Sequence, residues 1–600
     1  MQDGATTPDV SDAAPTDVVA AFDAFLAADE VDETERAFAN LLLAAGVSAG
    51  LRGSGLPLYG ALKAAVAPKL NFRTGKVFAC LDAKIASAQG VVAKMGGATA
   101  PASSTPFTVL VCGAGPVGLR AAVEAVMLGM EAVVVEKRTA FSRANIITFW
   151  DETMADMLAL GAKQFRPNLM STGNPKHIGT REMQLILLKD LLLLGGTVRY
   201  GMRITGLVPP GGGSGGGRWQ GRFAPYARGA GEGAHEQAAA EKALEFQRLK
   251  EYESEFESTG NKGKLIERCE VDPSFVAPAD AAASGEGRVA FDVYLIGEGG
   301  WSDSTRRLGF TKVVVKANPR IGLVINMEYD RAAPKERAMK SKIYHMLGSD
   351  WPLKECRVLA EFLEYLKGES HFLALVVEIE NKYADKTSAA VEAARASGTL
   401  TAETEAAMEA YASRGGLVEL GVCRKRLPRA QLLQPENVDA EALRSMARLI
   451  ATEVGLPAEA RFCEVNPVQL FDFSSLARCE APLKLLTADG AVADGTQEHA
   501  KAAGSVGAGA ALVCPIGDAL QEPVWTSGLG VNRGFHGGLN AVYAAACARH
   551  RGLPEACAEA DKAWRRMLAI NWPAGIATDY RKGCCVKPGE TWTADPTTRL

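Results

Sequence analysis

Phe107-Thr108-Val109-Leu110-Val111-Cys112 running into Gly113-Ala114-Gly115-Pro116-Val117-Gly118 is the stretch on which the fold turns. The first six residues have the length and apolar character of a short buried strand. Residues 119–129 (LRAAVEAVMLG) carry helical spacing, and 132–136 (AVVVE) read as a second buried strand. Strand, glycine turn, helix and strand make one βαβ unit, whose parallel strands need a right-handed crossover. Each glycine has a separate task. Gly113 permits the tight turn, Gly115 lets the backbone approach a pyrophosphate, and Gly118 lets the helix pack on the sheet. The helix N-terminus then favours phosphate charge, and Glu136, closing the second strand, is placed to accept hydrogen bonds from an adenosine ribose.

Later segments choose FAD over NAD. After Glu136-Lys137-Arg138 comes Phe141-Ser142-Arg143-Ala144-Asn145, whose arginine can reach the pyrophosphate from the opposite side. FDVYLIGEGGWSDSTRRLGF (291–310) is a buried strand ending in a glycine turn. IGDALQEPVWTSGLGVNRGF (516–535) brings an aspartate and then glycines leading into a helix. In that segment Asp518 can hold a ribityl hydroxyl. The backbone from Gly528 through Gly530 to Asn532 can line a flavin ring, with the helix dipole favouring negative charge at its pyrimidine end.

Outward from this core the chain is ordinary in composition and long enough for two or three lobes. Of its 600 residues 47 % are apolar and 23 % charged, and the net charge of −4 offers no global attraction to nucleic acid or an anionic membrane. The opening MQDGATTPDVSDAAPTD lacks the apolar core of a signal peptide, and no long uncharged apolar run reads as a membrane span. Twelve cysteines without a Cys-x-x-Cys pair and seven scattered histidines give no metal-ligand spacing. Reduced thiols in a cytoplasmic protein are the expectation.

Residues 1–16 read as a disordered tail, 17–98 as a small helical module and 99–106 as a linker. The module's helices are expected at VVAAFDAFLAA, ETERAFANLLLAAG, LYGALKAAVA and GKVFACLDAKIASA. The FAD-binding domain is assigned to 107–207, 289–322 and 466–600. A second, β-sheet substrate domain takes 208–288 and 323–465. Within it the glycine-rich and charged run from Pro209 to about Gly287 reads as a solvated, partly flexible insertion, and 387–414 as a charged Ala-rich helix. The fold class is therefore α/β: an FAD-binding Rossmann-like domain of the glutathione-reductase/hydroxylase type with a second sheet domain and an N-terminal helical module.

This set of segments resembles the single-component flavin hydroxylases, whose third segment reads GD…P…GxGxNxG. Within that group the chain looks most like the monooxygenase domain of the MICAL proteins, which oxidise methionines of actin. The likeness rests on GAGPVGLRAAVEAVMLG, VVVEKRTAFSRANI, Phe149-Trp150, LGAKQF, REMQLILLKDLLLLGG, GDALQEPVWTSGLGVNRGF, KLNFRTGKVFACLDAK (69–84) and the closing DPTTRL. The resemblance implies FAD contacts at Val117, Glu136, Lys137, Arg138, Arg143, Ala144, Asn145, Thr148, Ile204 and Asp518. It also implies that Trp525 lies beside the isoalloxazine. His371-Phe372 falls in a segment that the family ends with a tyrosine near the flavin, so stacking survives here without the hydroxyl. Thr148 stands where the family tends to carry histidine. The family's Gly-Ala-Asp-Gly is here Gly297-Glu298-Gly299-Gly300, so the acid has moved.

The chemistry implied is the flavin's own: NADPH reduces FAD, O₂ adds to give a C4a-hydroperoxide, and oxygen passes to a nucleophile, with H₂O₂ released on uncoupling. A thioether needs no deprotonation, whereas a phenol profits from a base, and no such base is evident. The resemblance thus points to protein methionine, on F-actin or another protein substrate, and to methionine sulfoxide as product. A small-molecule aromatic hydroxylase of the same fold and a flavin-bound scaffold with incidental NADPH oxidase turnover remain the alternatives. No calponin-homology, LIM or coiled-coil segment is read in the chain.

Overall fold

The structure is a computed structural model. It describes residues 17–96, 106–141, 146–149, 151–166, 177–211, 217–226, 247, 248, 250–252, 254, 255, 264–277, 287–316, 320–328, 343–345, 358–364, 370–378, 396, 422–425, 432–453, 459–463, 467–472, 475–506, 509–523 and 529–569. The tail, most of the linker, nearly all of the Ala-rich segment at 387–414 and the C-terminal stretch from 570 lie outside the described residues.

Four helices form where the three-and-four spacing of apolar residues places them: α1 (Val18–Ala27), α2 (Val31–Ala45), α3 (Leu56–Val66) and α4 (Phe72–Lys94). Their ends have local causes. Asp17 caps α1 by accepting from the Val19 N–H, and Asn71 caps α4 by accepting from Arg73 and Thr74. Gly46, at φ 66°, terminates α2 in the left-handed conformation that glycine adopts at least cost. The module shares one continuous hydrophobic core with the rest of the chain rather than standing apart from it.

That core continues into a seven-stranded sheet. Five strands run parallel: β1 (Thr108–Cys112), β2 (Glu131–Glu136), β3 (Thr197–Tyr200), β4 (Val293–Ile296) and β5 (Ala511–Pro515). Their order across the sheet is β5-β4-β1-β2-β3, and Lys484–Leu486 and Val492–Asp494 extend it antiparallel beyond β5. Every residue of β1 is buried, which is why it reads as an unbroken apolar run instead of an alternating one. Helix α5 (Pro116–Met127) connects β1 to β2, starting three residues before the periodic segment because Pro116 takes the first helical position, where no N–H is needed. Helices α6 (Asp151–Ala159) and α7 (Thr180–Leu193) follow.

A second sheet is antiparallel. Arg320–Glu328 pairs with Ser370–Glu378 on one side and with Arg461–Phe462 and Val468–Asp472 on the other. Val358–Glu364 and Ile343–His345 continue it outward. The run read as a solvated insertion departs from that expectation in part. Trp219–Pro225 is a strand between Met202–Val208 and Gly287–Phe291, and Trp219 is 1 % exposed with its Nε1 donating to the Gly509 carbonyl at 2.9 Å. Lys264–Glu267 pairs with Lys312–Lys316. Flanking glycines dilute the average hydropathy of this stretch, but Trp219 and Phe223 alternate in the period of a strand.

A buried ion cluster joins α4, α5 and α6. The Asp156 carboxylate accepts from Lys84 Nζ at 2.8 Å and from Arg120 Nε at 2.6 Å and Nη2 at 3.0 Å, while Arg120 Nη1 donates to Glu124 at 2.9 Å. Two cations thus meet two carboxylates. Asp190 on α7 is a third acid nearby, 0 % exposed, with neither carboxyl oxygen hydrogen-bonded. Burial pushes its carboxyl well above the usual range, and Arg120 only partly offsets this. A raised acid pKa costs stability as pH rises above about 4, the unfolded value, and costs nothing below it. Asp190→Asn is therefore expected to raise Tm at pH 8, with the gain shrinking toward zero near pH 4. A thermal melt series across that range checks it, and a gain independent of pH would contradict a protonated Asp190.

Candidate active site

The glycine turn is built as its sequence requires. Gly113 sits at φ 106°, and a Cβ there would lie 2.8 Å from the Gly297 carbonyl carbon, because the turns after β1 and β4 run against each other. A Cβ at Gly118 would strike the Gly113 carbonyl oxygen, so helix and turn pack backbone to backbone. Gly115 is different. Among the described residues a Cβ there would meet nothing within 4 Å, which leaves open space over the start of α5. Ala114 is clamped from two sides: its N–H donates to Glu136 Oε2 at 2.7 Å, and its carbonyl accepts from Gln184 Nε2 at 2.7 Å. The other Glu136 oxygen accepts from the Arg138 N–H at 2.9 Å. Glu136 thus ties the end of β2 to the turn, in addition to any ribose it holds.

The second wall comes from the far end of the chain. After β5 the backbone turns at Gly517, φ 60°, and α8 (Leu529–Arg551) begins. Val117 packs against this junction: Cβ atoms at Gly517 and Gly538 would lie 3.4 Å and 3.2 Å from its side chain, and one at Gly534 would overlap it. A Cβ at Gly530 would stand 3.9 Å from Asp518 Oδ1, so the aspartate reaches the first turn of α8. Asn532 is fully buried in that helix start. The structure therefore brings Gly113, Gly115, Val117, Gly118, Glu136, Asp518, Gly530 and Asn532 into one region. Two helix N-termini converge there with open space above Gly115, and such a set can hold a dinucleotide through its pyrophosphate.

The displaced acid of the second segment faces inward. Glu298 accepts from Ser302 Oγ at 2.8 Å and from Ser304 Oγ at 2.7 Å, and Tyr294 OH stands 3.4 Å away. Burial raises its carboxyl pKa, and the serine hydrogen bonds pull against that rise. Its geometry makes it the clasp that closes the glycine turn after β4 onto the short helix Asp303–Arg307. Gly300 is glycine because a Cβ would run into the Glu522 carboxylate, which is itself held by the Ala477 N–H at 2.7 Å.

The remaining residues singled out from sequence are spread more widely. Lys137 Nζ lies over the Tyr226 ring at 5.4 Å, Arg138 lies 3.9 Å from Glu136, and Ile204 sits at a bulge in Met202–Val208. Thr148 pairs in register with His177 in a two-stranded ribbon. His371 and Phe372 stand on the antiparallel sheet, opposite Met327 and Asn326. Arg143, Ala144, Asn145 and Trp525 lie outside the described residues. Gln184 was missed by sequence reasoning, since its partner Ala114 is far away along the chain and a lone glutamine in REMQLILLKD carries no motif. Among the described residues no group of His, Cys, Asp and Glu is placed to hold a metal ion, and no helix is long and apolar enough to cross a membrane.

No family model matches the chain. The F-actin monooxygenase MICAL1 of Rattus norvegicus is 29 % identical over 539 residues, which cover 87 % of this chain and 39 % of that protein. The chain is similar to the MICAL monooxygenases over most of its length. MICAL3 of Mus musculus is 46 % identical over 101 residues, 17 % of this chain and 5 % of its own length. The chain spans about two fifths of the MICAL1 proteins it matches. Among solved structures, the aromatic hydroxylase CabE from angucycline biosynthesis aligns with 78 % of this chain and 68 % of its own, at TM-score 0.40 and 12 % identity.

Proposed function

We propose that the chain is an FAD-dependent monooxygenase that draws reducing equivalents from NADPH and delivers oxygen to protein methionine, F-actin being the favoured substrate. The observation that carries the reading is the open space over Gly115, bounded by a clamped glycine turn and by the Asp518 end of α8, in a chain with MICAL1 likeness over 87 % of its length. Bound there, the flavin supplies the redox chemistry that no side chain of the protein has. The chain's own part is to bind and to position. The N-terminus of α5 favours the pyrophosphate charge, Glu136 takes the ribose, and Asp518 takes a ribityl hydroxyl. By the family resemblance Arg143, Ala144, Asn145, Thr148 and Ile204 complete the cradle, and Trp525, His371 and Phe372 border the reacting end. Residues 107–207, 289–322 and 466–600 would form the flavin domain and the antiparallel sheet the substrate side. A sulfur acceptor suits a site without an assigned base, since a thioether reacts unprotonated at neutral pH. We place the protein in the cytoplasm on the same reading.

The purified protein should be yellow, absorbing near ~450 nm, and should consume NADPH. Turnover is expected to rise with F-actin, whose methionines should gain one oxygen each by mass spectrometry. If actin neither accelerates turnover nor gains oxygen while the flavin still bleaches with NADPH, the substrate is a small molecule. A colourless protein that takes up no FAD would remove the cofactor and the enzyme together.

A further inference from the structure

On the side of α8 turned toward α9 (Leu553–Ala569), Arg533 has no counter-ion among the described residues. Arg533 is 5 % exposed, and its Nη2 donates to the Met567 carbonyl at 2.8 Å, but its Nε and Nη1 are buried and meet no acceptor. Gln521 is 7 % exposed, and both polar atoms of its side chain are likewise buried with no hydrogen-bond partner. A strand bridge pairs Gln521 with Arg478, so these two side chains leave the backbone on the same face. Burial pulls the Arg533 guanidinium down to about 10, and the charge of Arg478 pulls in the same direction. No carboxylate is among the groups acting on it.

Three facts bear on this site: Arg533 donors without acceptors among the described residues, the charge of Arg478 adding to that of Arg533 although Glu480 acts on Arg478, and, paired with Arg478, an amide that can donate or accept. The bland reading is that ordered water fills the gap. Water satisfies the N–H groups but leaves the buried charge uncompensated, and such charges are normally paired. An oxyanion satisfies both demands, and the planar fork of a guanidinium matches the spacing of two of its oxygens. The nearby start of α8 adds positive potential of the same sign.

We infer that Arg533 and Gln521 form a binding site for a small oxyanion of the phosphate type, either free or carried by a nucleotide. The test is calorimetric titration of inorganic phosphate into the full chain as purified, a readout that does not depend on flavin or turnover. Binding is expected at one phosphate per chain, weakened about tenfold or more by Arg533→Met and less by Gln521→Leu. Because an unpaired buried cation disfavours the fold, Arg533→Met should keep or raise Tm in phosphate-free buffer. Competition identifies the source. Displacement of phosphate by NADPH but not NADH assigns the site to a nucleotide 2′-phosphate, and displacement by neither assigns it to free phosphate. The proposal is overturned if wild type takes up no phosphate saturably or if Arg533→Met binds it unchanged. It is equally overturned if that variant loses more than about 10 °C in Tm, which would make the guanidinium a structural strut.

Discussion

Asp156→Ala is expected to destabilise the fold by about 3–5 kcal/mol, because it removes the carboxylate that two buried cations share. Lys84 and Arg120 are both buried and both direct hydrogen bonds to that one carboxylate. Glu124 remains as a partner for Arg120. Burial opposes ionisation of Asp156, yet Arg120 and Lys84 together outweigh it and hold the carboxyl far below its ordinary range. A depressed acid pKa gives stability that is present above the unfolded value, about 3.9, and lost as pH falls through the folded one. The deficit of the variant should accordingly be full at pH 7 and should narrow only below about pH 4. Urea unfolding midpoints at several pH values measure this. Replacing Lys84, Arg120, Glu124 and Asp156 together by apolar residues of similar volume should cost far less than Asp156→Ala alone, since charge burial and charge pairing then disappear together. A loss below about 1 kcal/mol for the single variant would mean that the cluster is hydrated and the docking of the N-terminal helices rests on apolar packing.

These two layers of the molecule differ in how far the sequence reveals them. The glycine turn is legible because each constraint is local: Gly113 needs its positive φ and Gly118 its bare Cα, whatever the rest of the chain does. The four N-terminal helices are legible for the same reason, through period and caps. The Lys84–Asp156–Arg120 cluster is not, because three charged residues on three helices look like solvated faces until packing turns them inward. Glu298 illustrates a middle case. The shifted acid is visible in the motif, but only the contacts with Ser302 and Ser304 reveal a clasp. Asp518 lies beside the helix that follows it because their separation is short, whereas Gln184 on α7 meets a partner far away along the chain. His371 and Phe372 have a strand register, opposite Met327 and Asn326, that periodicity could not supply.

A pair of glycine substitutions separates the fold of the turn from its proposed use. Gly118→Ala places a methyl on the Gly113 carbonyl, which is backbone and cannot rotate away. Overpacking of this kind is expected to cost about 3 kcal/mol or more and to move the turn, so the variant should melt early and retain almost no flavin. Gly115→Ala should behave in the opposite way. Its backbone, φ −64° and ψ 167°, is extended and open to alanine, and among the described residues the added methyl meets no atom within 4 Å. The flavin-free protein should therefore melt within about 1–2 °C of wild type, since exchange of glycine for alanine also restricts the unfolded chain slightly. The same methyl occupies the space in which the pyrophosphate would approach the backbone, so FAD affinity should fall about tenfold or more, a loss of at least ~1.4 kcal/mol of binding. Fluorescence titration of flavin into both apoproteins gives the comparison. Wild-type affinity in Gly115→Ala would move the cofactor off the turn, while a fold as damaged as that of Gly118→Ala would mean the space over Gly115 is closed by the protein itself.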